Sequence, residues 1–211
     1  THGIGNGLAR FPREMPTLER LGMANLDAIE ATITKYAIDC DFERSGSLDV
    51  ATEAHQVPWL REDVEQARQL GHDAAFLDRD AVRAEVNSPT YLAGSWHRDD
   101  TALVDPARLA WGLRAACAGL GVRIAERTRV ESLERDGTGV RLRTKYGSVR
   151  AHRTALATNA FRPLLRRARP YIVPVYDYAL MSEPLSAGQL GEIRWRNRQG
   201  LGDVTNQFHY Y

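Results

Sequence analysis

Cysteine is scarce in this chain of 211 residues, since Cys40 and Cys117 are the only two. Two cysteines supply neither a disulfide framework nor a metal site. This usage is typical of a reducing compartment, so we expect a cytoplasmic protein. Cys117 falls on the apolar stripe of a predicted helix, which predicts a buried, small hydrophobic side chain.

The chain also lacks a surplus of either charge and any long apolar run. It has 28 basic and 27 acidic residues, for a formal net charge of +1. Nucleic acids and anionic membranes attract basic surfaces, so we expect neither as a partner. No apolar run approaches the ~20 residues needed to span a bilayer, and no signal peptide is visible.

Recognisable catalytic constellations are missing as well. The six histidines are scattered, with no pair at the i, i+4 spacing that suits a metal ion. No Ser-His-Asp or Cys-His set has supporting context, and no carboxylate pair stands out. The sequence therefore predicts no metal site, and the catalytic residues are unknown at this stage.

The most informative stretch runs from residue 103 to residue 161. Asp105 can cap a helix that begins at Pro106, because its carboxylate accepts from the free N–H groups of the first turn. Gly119 and Gly121 predict the end of that helix. Its apolar stripe comprises Leu109, Leu113, Ala116, Cys117 and Leu120.

A meander of short strands is predicted after this helix. Its pieces are residues 122–124, 130–133, 140–144 and 149–151, with a hairpin signal at Asp136-Gly137. Residues 154–158 are nearly all small or apolar, which predicts a strand buried on both faces of a parallel sheet. Together these patterns predict an α/β arrangement with an inserted meander.

The rest of the chain gives plainer signals. We expect a loop over 1–16. Helices are predicted from Thr17 to about Tyr36, over 55–70 and from Asp78. Strands are predicted over 46–51, 91–96 and 171–181, and a further strand is predicted to begin within 208–211. His97-Arg98-Asp99-Asp100 is interpreted as a solvated turn, with a proton relay as the alternative. Four arginines between residues 162 and 169 favour a solvated connector over a phosphate site.

Four motifs in this order resemble the FAD-dependent amine and amino-acid oxidases, the family of D-amino-acid oxidase, glycine oxidase, sarcosine oxidase and gamma-glutamylputrescine oxidoreductase. They are Val104-Asp105-Pro106, Gly121-Val122-Arg123-Ile124, Thr128-Arg129-Val130 and the run over 155–161. The resemblance implies a mixed α/β fold: part of an FAD/NAD(P)-binding domain with an inserted β-meander, plus part of a substrate domain with a mixed or antiparallel sheet. It assigns 1–45 and 99–166 to the FAD domain, and 46–98 and 167–211 to the substrate domain.

The same resemblance implies FAD as cofactor and a small-molecule amine or amino acid as substrate. In the family, a neutral amine gives a hydride from its α-carbon to the flavin, the imine hydrolyses, and oxygen or another acceptor reoxidises the flavin. By resemblance the backbone of Val130 meets the adenine end of FAD, and Thr158 and Asn159 also contact the cofactor, although many relatives have a glycine there. Tyr176 and Tyr178 are candidates to line the substrate cavity.

The chain starts at Thr1 and stops in a strand-like run, so we expect an internal piece that is inactive alone. The family's first strand and G-x-G-x-x-G loop would lie upstream of it. Two alternatives stay open: a complete interaction module with a degenerate flavin fold, and a flavin-dependent hydroxy-acid dehydrogenase. Oligomeric state cannot be read from the sequence.

Overall fold

The computed structural model describes residues 3–161, 164–176, 178–205 and 209–210. It divides into two compact units. Unit 1 comprises Thr1–Gly121 and Pro184–Tyr211, and unit 2 comprises Val122–Glu183. The division of the chain between a cofactor domain and a substrate domain stays a prediction.

Six α-helices and seven strands are formed by the described residues. The helices are α1 Ile4–Arg10, α2 Met15–Lys35, α3 Val57–Gln69, α4 Arg79–Glu85, α5 Pro106–Gly119 and α6 Ala187–Ile193. The strands are β1 Ser47–Ala51, β2 Ala74–Leu77, β3 Ala93–His97, β4 Val130–Asp136, β5 Gly139–Thr144, β6 Gly147–Ala151 and β7 Gly200–Asp203. None of these helices is long and apolar enough to cross a membrane.

The core of unit 1 is a four-stranded mixed sheet in the order β2-β3-β1-β7. β1 pairs with β3 antiparallel and with β7 parallel. Because successive side chains of a strand point to opposite faces, Leu48 and Val50 pack on one face with Val82 of α4. On the other face, Ala51 packs with Leu60 of α3. The sheet is thus covered by helices on both faces.

Capping and periodicity set the helices much as predicted. Asp78 caps α4, since its carboxylate accepts from the N–H groups of Asp80 and Ala81 at 3.1 and 2.9 Å. Asp105 caps α5 in the same way. The buried residues of α3 are Leu60, Val64 and Ala67, as its predicted stripe requires.

The predicted meander is confirmed in unit 2. β4, β5 and β6 form a three-stranded antiparallel sheet, and the β4–β5 turn lies between Asp136 and Gly139. Gly137 has φ +62°, a conformation that glycine adopts without strain. Ion pairs cross the exposed surface of this sheet, including Arg143 to Glu134 at 2.8 Å.

The prediction of a loop over 1–16 is wrong. Residues 4–10 form α1, and α2 already begins at Met15 instead of at a Thr17 cap. Ile4 and Met15 are buried against Val64. Burial of apolar side chains therefore outweighs the helix-weakening effect of the glycines at this end of the chain.

Three strand predictions are also wrong in the described part of the chain. Residues 122–124 and 154–158 have no strand structure, and 154–158 is exposed or half-buried instead of fully buried. A parallel strand needs hydrogen-bonded neighbours, and no described strand pairs with 154–158. Over 171–181 the chain leaves a short 3-10 helix, Arg166–Tyr171, and runs irregular and exposed, with Asp177 outside the described residues.

Helix α5 forms as predicted, but its apolar stripe is only partly covered, with Leu109 packed against Ile38 and Cys40. None of its residues is buried, and Trp111 is 67% exposed. Cys117 is half-exposed, so its predicted burial is wrong, whereas Cys40 is buried. Amphipathic spacing identifies the apolar face of a helix, but it does not show which other element of the tertiary structure packs against that face.

Candidate functional site

The first candidate cofactor residue, Val130, opens β4 in unit 2. It pairs with Thr144 of β5 and is half-buried. The register shifts between Val130 and Ser132, which marks a bulge. A bulge interrupts the regular ladder and leaves backbone groups unpaired, so this strand end suits a contact made through the backbone.

The other two cofactor candidates follow the meander in an exposed turn. The Phe161 N–H donates to the Thr158 carbonyl at 3.1 Å, and Asn159 has φ +48°, a left-handed conformation that Asn tolerates better than most residues. Neither the Thr158 hydroxyl nor the Asn159 amide is hydrogen-bonded among the described residues. Free hydroxyl and amide groups can bind ribose or phosphate oxygens, so the chemical types of these two side chains suit a dinucleotide.

The substrate-cavity candidates lie elsewhere on the chain. Tyr176 is 81% exposed and Tyr178 is 95% exposed, in a stretch without regular structure. The cofactor and substrate roles of the five candidate residues stay predictions.

Sequence reasoning missed a buried polar cluster, which we call the His97 cluster: Asp49, Asp63, Ser95, His97 and Asp100. The His97 ring is almost fully buried, with Nε2 at 2.7 Å from Asp63 Oδ2 and 3.0 Å from Ser95 Oγ. The Ser95 hydroxyl donates to the same Asp63 oxygen at 2.6 Å. His97 Nδ1 faces Asp100 Oδ2 at 3.4 Å, without the alignment of a hydrogen bond. His97 therefore lies between two carboxylates, and its interpretation as part of a solvated turn is wrong.

The charges of the His97 cluster follow from this geometry. Burial by itself lowers the pKa of His97, but Asp100 and Asp63 outweigh it and raise that pKa to about 10. Burial would raise the pKa of Asp63, but the hydrogen bonds from His97 and Ser95 bring it below its ordinary value. The cluster thus holds an imidazolium between carboxylates at neutral pH.

Asp49 is the exception in this cluster. It lies on β1 directly opposite Ser95. Burial, with a further contribution from nearby Asp63, raises the pKa of Asp49 to about 6, although His97 opposes the shift. Asp49 is therefore half-protonated near pH 6 and mostly ionised at neutral pH.

Serine, histidine and aspartate lie together here, yet the arrangement is unsuited to nucleophilic catalysis. Ser95 is fully buried, and its hydroxyl donates a hydrogen bond to Asp63 instead of to the imidazole of His97. A protonated His97 cannot act as the general base that such a nucleophile needs. The cluster ties α3 to β1, β3 and the following turn, and we assign it a structural role.

A second buried histidine lies beside this cluster. His72 Nε2 is 3.1 Å from Glu19 Oε2, and its Nδ1 faces Asp99 Oδ1 at 3.7 Å, beyond hydrogen-bond distance. The His72–Glu19 pair joins α2 to the segment between α3 and β2, and Asp99 lies in the turn that follows β3. Within the described ranges, no group of three or more His, Cys, Asp or Glu side chains could hold a metal ion.

The sequence did contain a signal for the His97 cluster. Ser95 and His97 are two residues apart on a strand and so share one face. Asp63 directly precedes Val64 on the apolar stripe of α3, which brings its carboxylate to the edge of the helix–sheet contact. The sequence spacing does not show that α3 packs on the face of the sheet that carries Ser95 and His97, so the cluster could not be recognised from the sequence alone.

Comparison with known proteins agrees with the family resemblance. The family described as DAO, FAD dependent oxidoreductase, matches residues 2–211. The chain is 30% identical over 182 residues to gamma-glutamylputrescine oxidoreductase of Escherichia coli, covering 82% of this chain and 42% of that protein. It is 26% identical over 175 residues to the probable oxidoreductase OrdL of Haemophilus influenzae, covering 80% of this chain and 40% of that one.

A solved structure shows the same fold. Glycine oxidase from Bacillus cereus superposes with a TM-score of 0.61 at 21% identity, over 69% of this chain and 41% of that enzyme. The chain thus spans about two fifths of the length of the proteins it matches. Because the family match extends over nearly every residue, the chain belongs to the family of FAD-dependent oxidoreductases.

Proposed function

We propose that the protein containing this chain oxidises the C–N bond of a small amine or amino acid, with FAD as the hydride acceptor. The observation that carries the proposal is the family match over residues 2–211. Two similar proteins bear names of this chemistry, gamma-glutamylputrescine oxidoreductase and glycine oxidase. The low cysteine content supports a cytoplasmic setting as part of the same proposal.

The proposed roles of this chain are binding and orientation. When bound, FAD supplies the electron-accepting chemistry, which protein side chains cannot supply. The backbone at Val130 would hold the adenine end, and the free polar groups of Thr158 and Asn159 would bind the dinucleotide. Tyr176 and Tyr178 would contribute to the substrate cavity.

The first experiment is the visible spectrum of the protein purified from its complete reading frame. We expect a bound-flavin absorption band that bleaches on anaerobic mixing with an amine or amino acid. A folded, colourless protein that takes up no added FAD would refute the proposal and favour the interaction module. A flavoprotein reduced by hydroxy acids but not by amines would favour the hydroxy-acid dehydrogenase instead.

The cofactor residues can be tested separately from the reaction. Removing the free polar groups in Thr158→Ala and Asn159→Gly should each weaken FAD binding by up to about tenfold, as expected for loss of one hydrogen bond. Glycine accepts the positive φ of Asn159, so the turn itself is preserved. Thr138→Ala, in the exposed β4–β5 turn, is the matched control. Equal FAD affinity in all three variants would remove Thr158 and Asn159 from the site.

The tyrosines need a substrate readout. If Tyr176 and Tyr178 line the cavity, phenylalanine at either position should raise KM for the amine while leaving the flavin content unchanged. Unchanged KM and kcat in both variants would exclude them from the substrate site.

A further inference from the structure

Three arginines at alternate positions line one cavity of unit 1. The cavity has a volume of about 640 Å³, and its wall includes Arg194, Arg196 and Arg198 together with Trp195, Leu185 and Leu190. No acidic residue is part of this wall. We call it the arginine pocket.

The arginines of this pocket differ from several others in the chain. Arg44, Arg98 and Arg143 each form ion pairs with carboxylates at 2.7–3.0 Å. Among the described residues, by contrast, no carboxylate pairs with any of the three pocket arginines. Three uncompensated guanidinium groups around one concavity create a positive potential that attracts anions.

The backbone turns at both ends of the arginine run. Arg194 has φ +62° and is the residue that ends α6, where a left-handed conformation is common. Arg198 has φ +48° and turns the chain again before β7. The three arginines therefore lie in one short segment between α6 and β7.

Hydrogen bonds to neighbouring elements hold the segment in place. The Asn87 N–H donates to the Ile193 carbonyl at 2.8 Å, just before Arg194. Asn197 donates from its amide to Glu85 at 2.6 Å, and the Ser45 hydroxyl donates to the Arg198 carbonyl at 3.1 Å. A wall fixed in this way loses less entropy when it binds a ligand than a flexible loop would.

The pocket also contains apolar surface. Trp195 is part of its wall and also packs against the buried core of unit 1, where its Nε1 has no hydrogen-bond acceptor among the described residues. Leu185 and Leu190 remain partly exposed in the same wall. The pocket thus combines positive charge with a hydrocarbon wall, and Trp195 is placed to report on its occupation.

We propose that the arginine pocket binds a small multivalent anion whose oxygens accept from the guanidinium groups, either a phosphate ester or a polycarboxylate. Planar guanidinium groups suit both chemistries, because each presents paired N–H donors to two oxygens. The site lies outside the residues proposed for FAD and for the amine. It is independent of the proposed function and would persist if that proposal failed.

The test uses the protein from its complete reading frame, labelled with 5-fluorotryptophan, with whatever flavin it carries. Fluorine NMR follows the Trp195 signal, assigned by its loss in Trp195→Phe, during titration with inorganic pyrophosphate or citrate. We expect a saturable shift that weakens as ionic strength rises. A response to pyrophosphate alone identifies the phosphate-ester class, and a response to citrate alone identifies the polycarboxylate class.

Variants separate this site from general charge attraction. Arg196→Gln and Arg198→Asn should each weaken binding about tenfold, which is the loss of one charge-assisted hydrogen bond. Asn is chosen at position 198 because it tolerates positive φ. Arg79→Gln, an exposed arginine on α4 outside the pocket, is the control and should bind normally. If neither anion shifts Trp195, or if all three variants bind equally well, the proposal is overturned.

Discussion

The sheet of unit 1 and the meander of unit 2 are both built from short paired strands, yet they bury very different amounts of side chain. In unit 1, Leu48, Val50 and Ala51 of β1 are fully buried, with helices on both faces. In unit 2, none of the described residues is buried. Strand pairing is therefore common to the two regions, whereas a packed core is present only in unit 1.

This difference separates two sources of stability. A three-stranded ladder such as β4-β5-β6 gains its order from turn geometry and cross-strand pairs, which are local in the sequence. The sheet of unit 1 gains its stability from apolar burial and from charges held away from water. Substitutions should accordingly be costly in unit 1 and mild at equivalent places in unit 2.

The largest effect is expected from the His97 cluster. His97→Ala leaves the carboxylates of Asp63 and Asp100 without their partner, which should lower the free energy of unfolding by about 3–5 kcal/mol. Arg143→Ala, which breaks an exposed ion pair of the meander, is the matched change in unit 2 and should have little effect. Denaturant unfolding measures the free energy of unfolding of both variants. A similar loss in the two would contradict the distinction between the regions.

The next largest effect concerns apolar burial. Leu48→Ala creates a cavity at a fully buried position and should cost about 3 kcal/mol. Val149→Ala, on β6, removes methyl groups from a side chain that is 59% exposed and should change stability by less than about 0.5 kcal/mol. Thermal unfolding compares them, and a Val149 effect as large as that of Leu48 would show that the meander is covered.

Helix α5 allows a smaller test within unit 1. A Cβ added at Gly112 would overlap the Ile38 side chain, so Gly112→Ala should cost about 1–3 kcal/mol through overpacking. Gly119, near the end of the same helix, has free space around it. Gly119→Ala should therefore be neutral or stabilising, by up to about 1 kcal/mol. If both substitutions stabilise the protein, the contact between α5 and Ile38 is not formed.

A further effect is a dependence on pH. The pKa of Asp49 is raised in the folded state to about 6, so its contribution favours folding below the unfolded pKa and is lost as pH rises through 6. Asp49→Asn stays neutral and should raise stability by roughly 1–3 kcal/mol at pH ~8, with little change at pH ~4. Equal stability of variant and parent at both values would show that Asp49 titrates normally.

His97 contributes a second pH dependence, at higher pH. Because its folded pKa is raised to about 10, its stabilisation is complete below pH ~6.5 and is lost as pH rises towards 10. The His97→Ala variant should lack this loss. Measuring both variants between pH ~4 and ~10 therefore assigns each part of the stability profile to one residue.

Local signals in the sequence predicted much of the fold. Asp78 and Asp105 as caps, the apolar stripe of α3 and the Asp136-Gly137 turn depend on neighbouring residues only, and each was confirmed. The strand predicted over 154–158 depended on hydrogen-bonded neighbours that no local pattern specifies, and it was wrong. Cys117 shows the same limit, because its helix formed without the cover that its burial required.

The candidate site divides in a similar way. Val130, Thr158 and Asn159 came from a family resemblance, and their roles stay predictions. The His97 cluster joins residues of β1, α3, β3 and a turn, so its members converge only after the sheet and helix have packed. The arginine pocket was missed because its three arginines follow a helix that the sequence analysis did not predict, α6.

The central position of β1 has a consequence for how this protein folds. Leu48 pairs with Trp96 of β3 on one side and with Leu201 of β7 on the other, and the whole of unit 2 lies between β3 and β7 in the sequence. During synthesis β1 can pair with β3 long before β7 leaves the ribosome. The edge of β1 that β7 covers is meanwhile an open strand, which can pair with other chains. Pairing of β7 with β1 is thus a late step in the formation of this sheet. Until then, efficient folding in the cell requires that the open edge of β1 is kept from pairing with other chains.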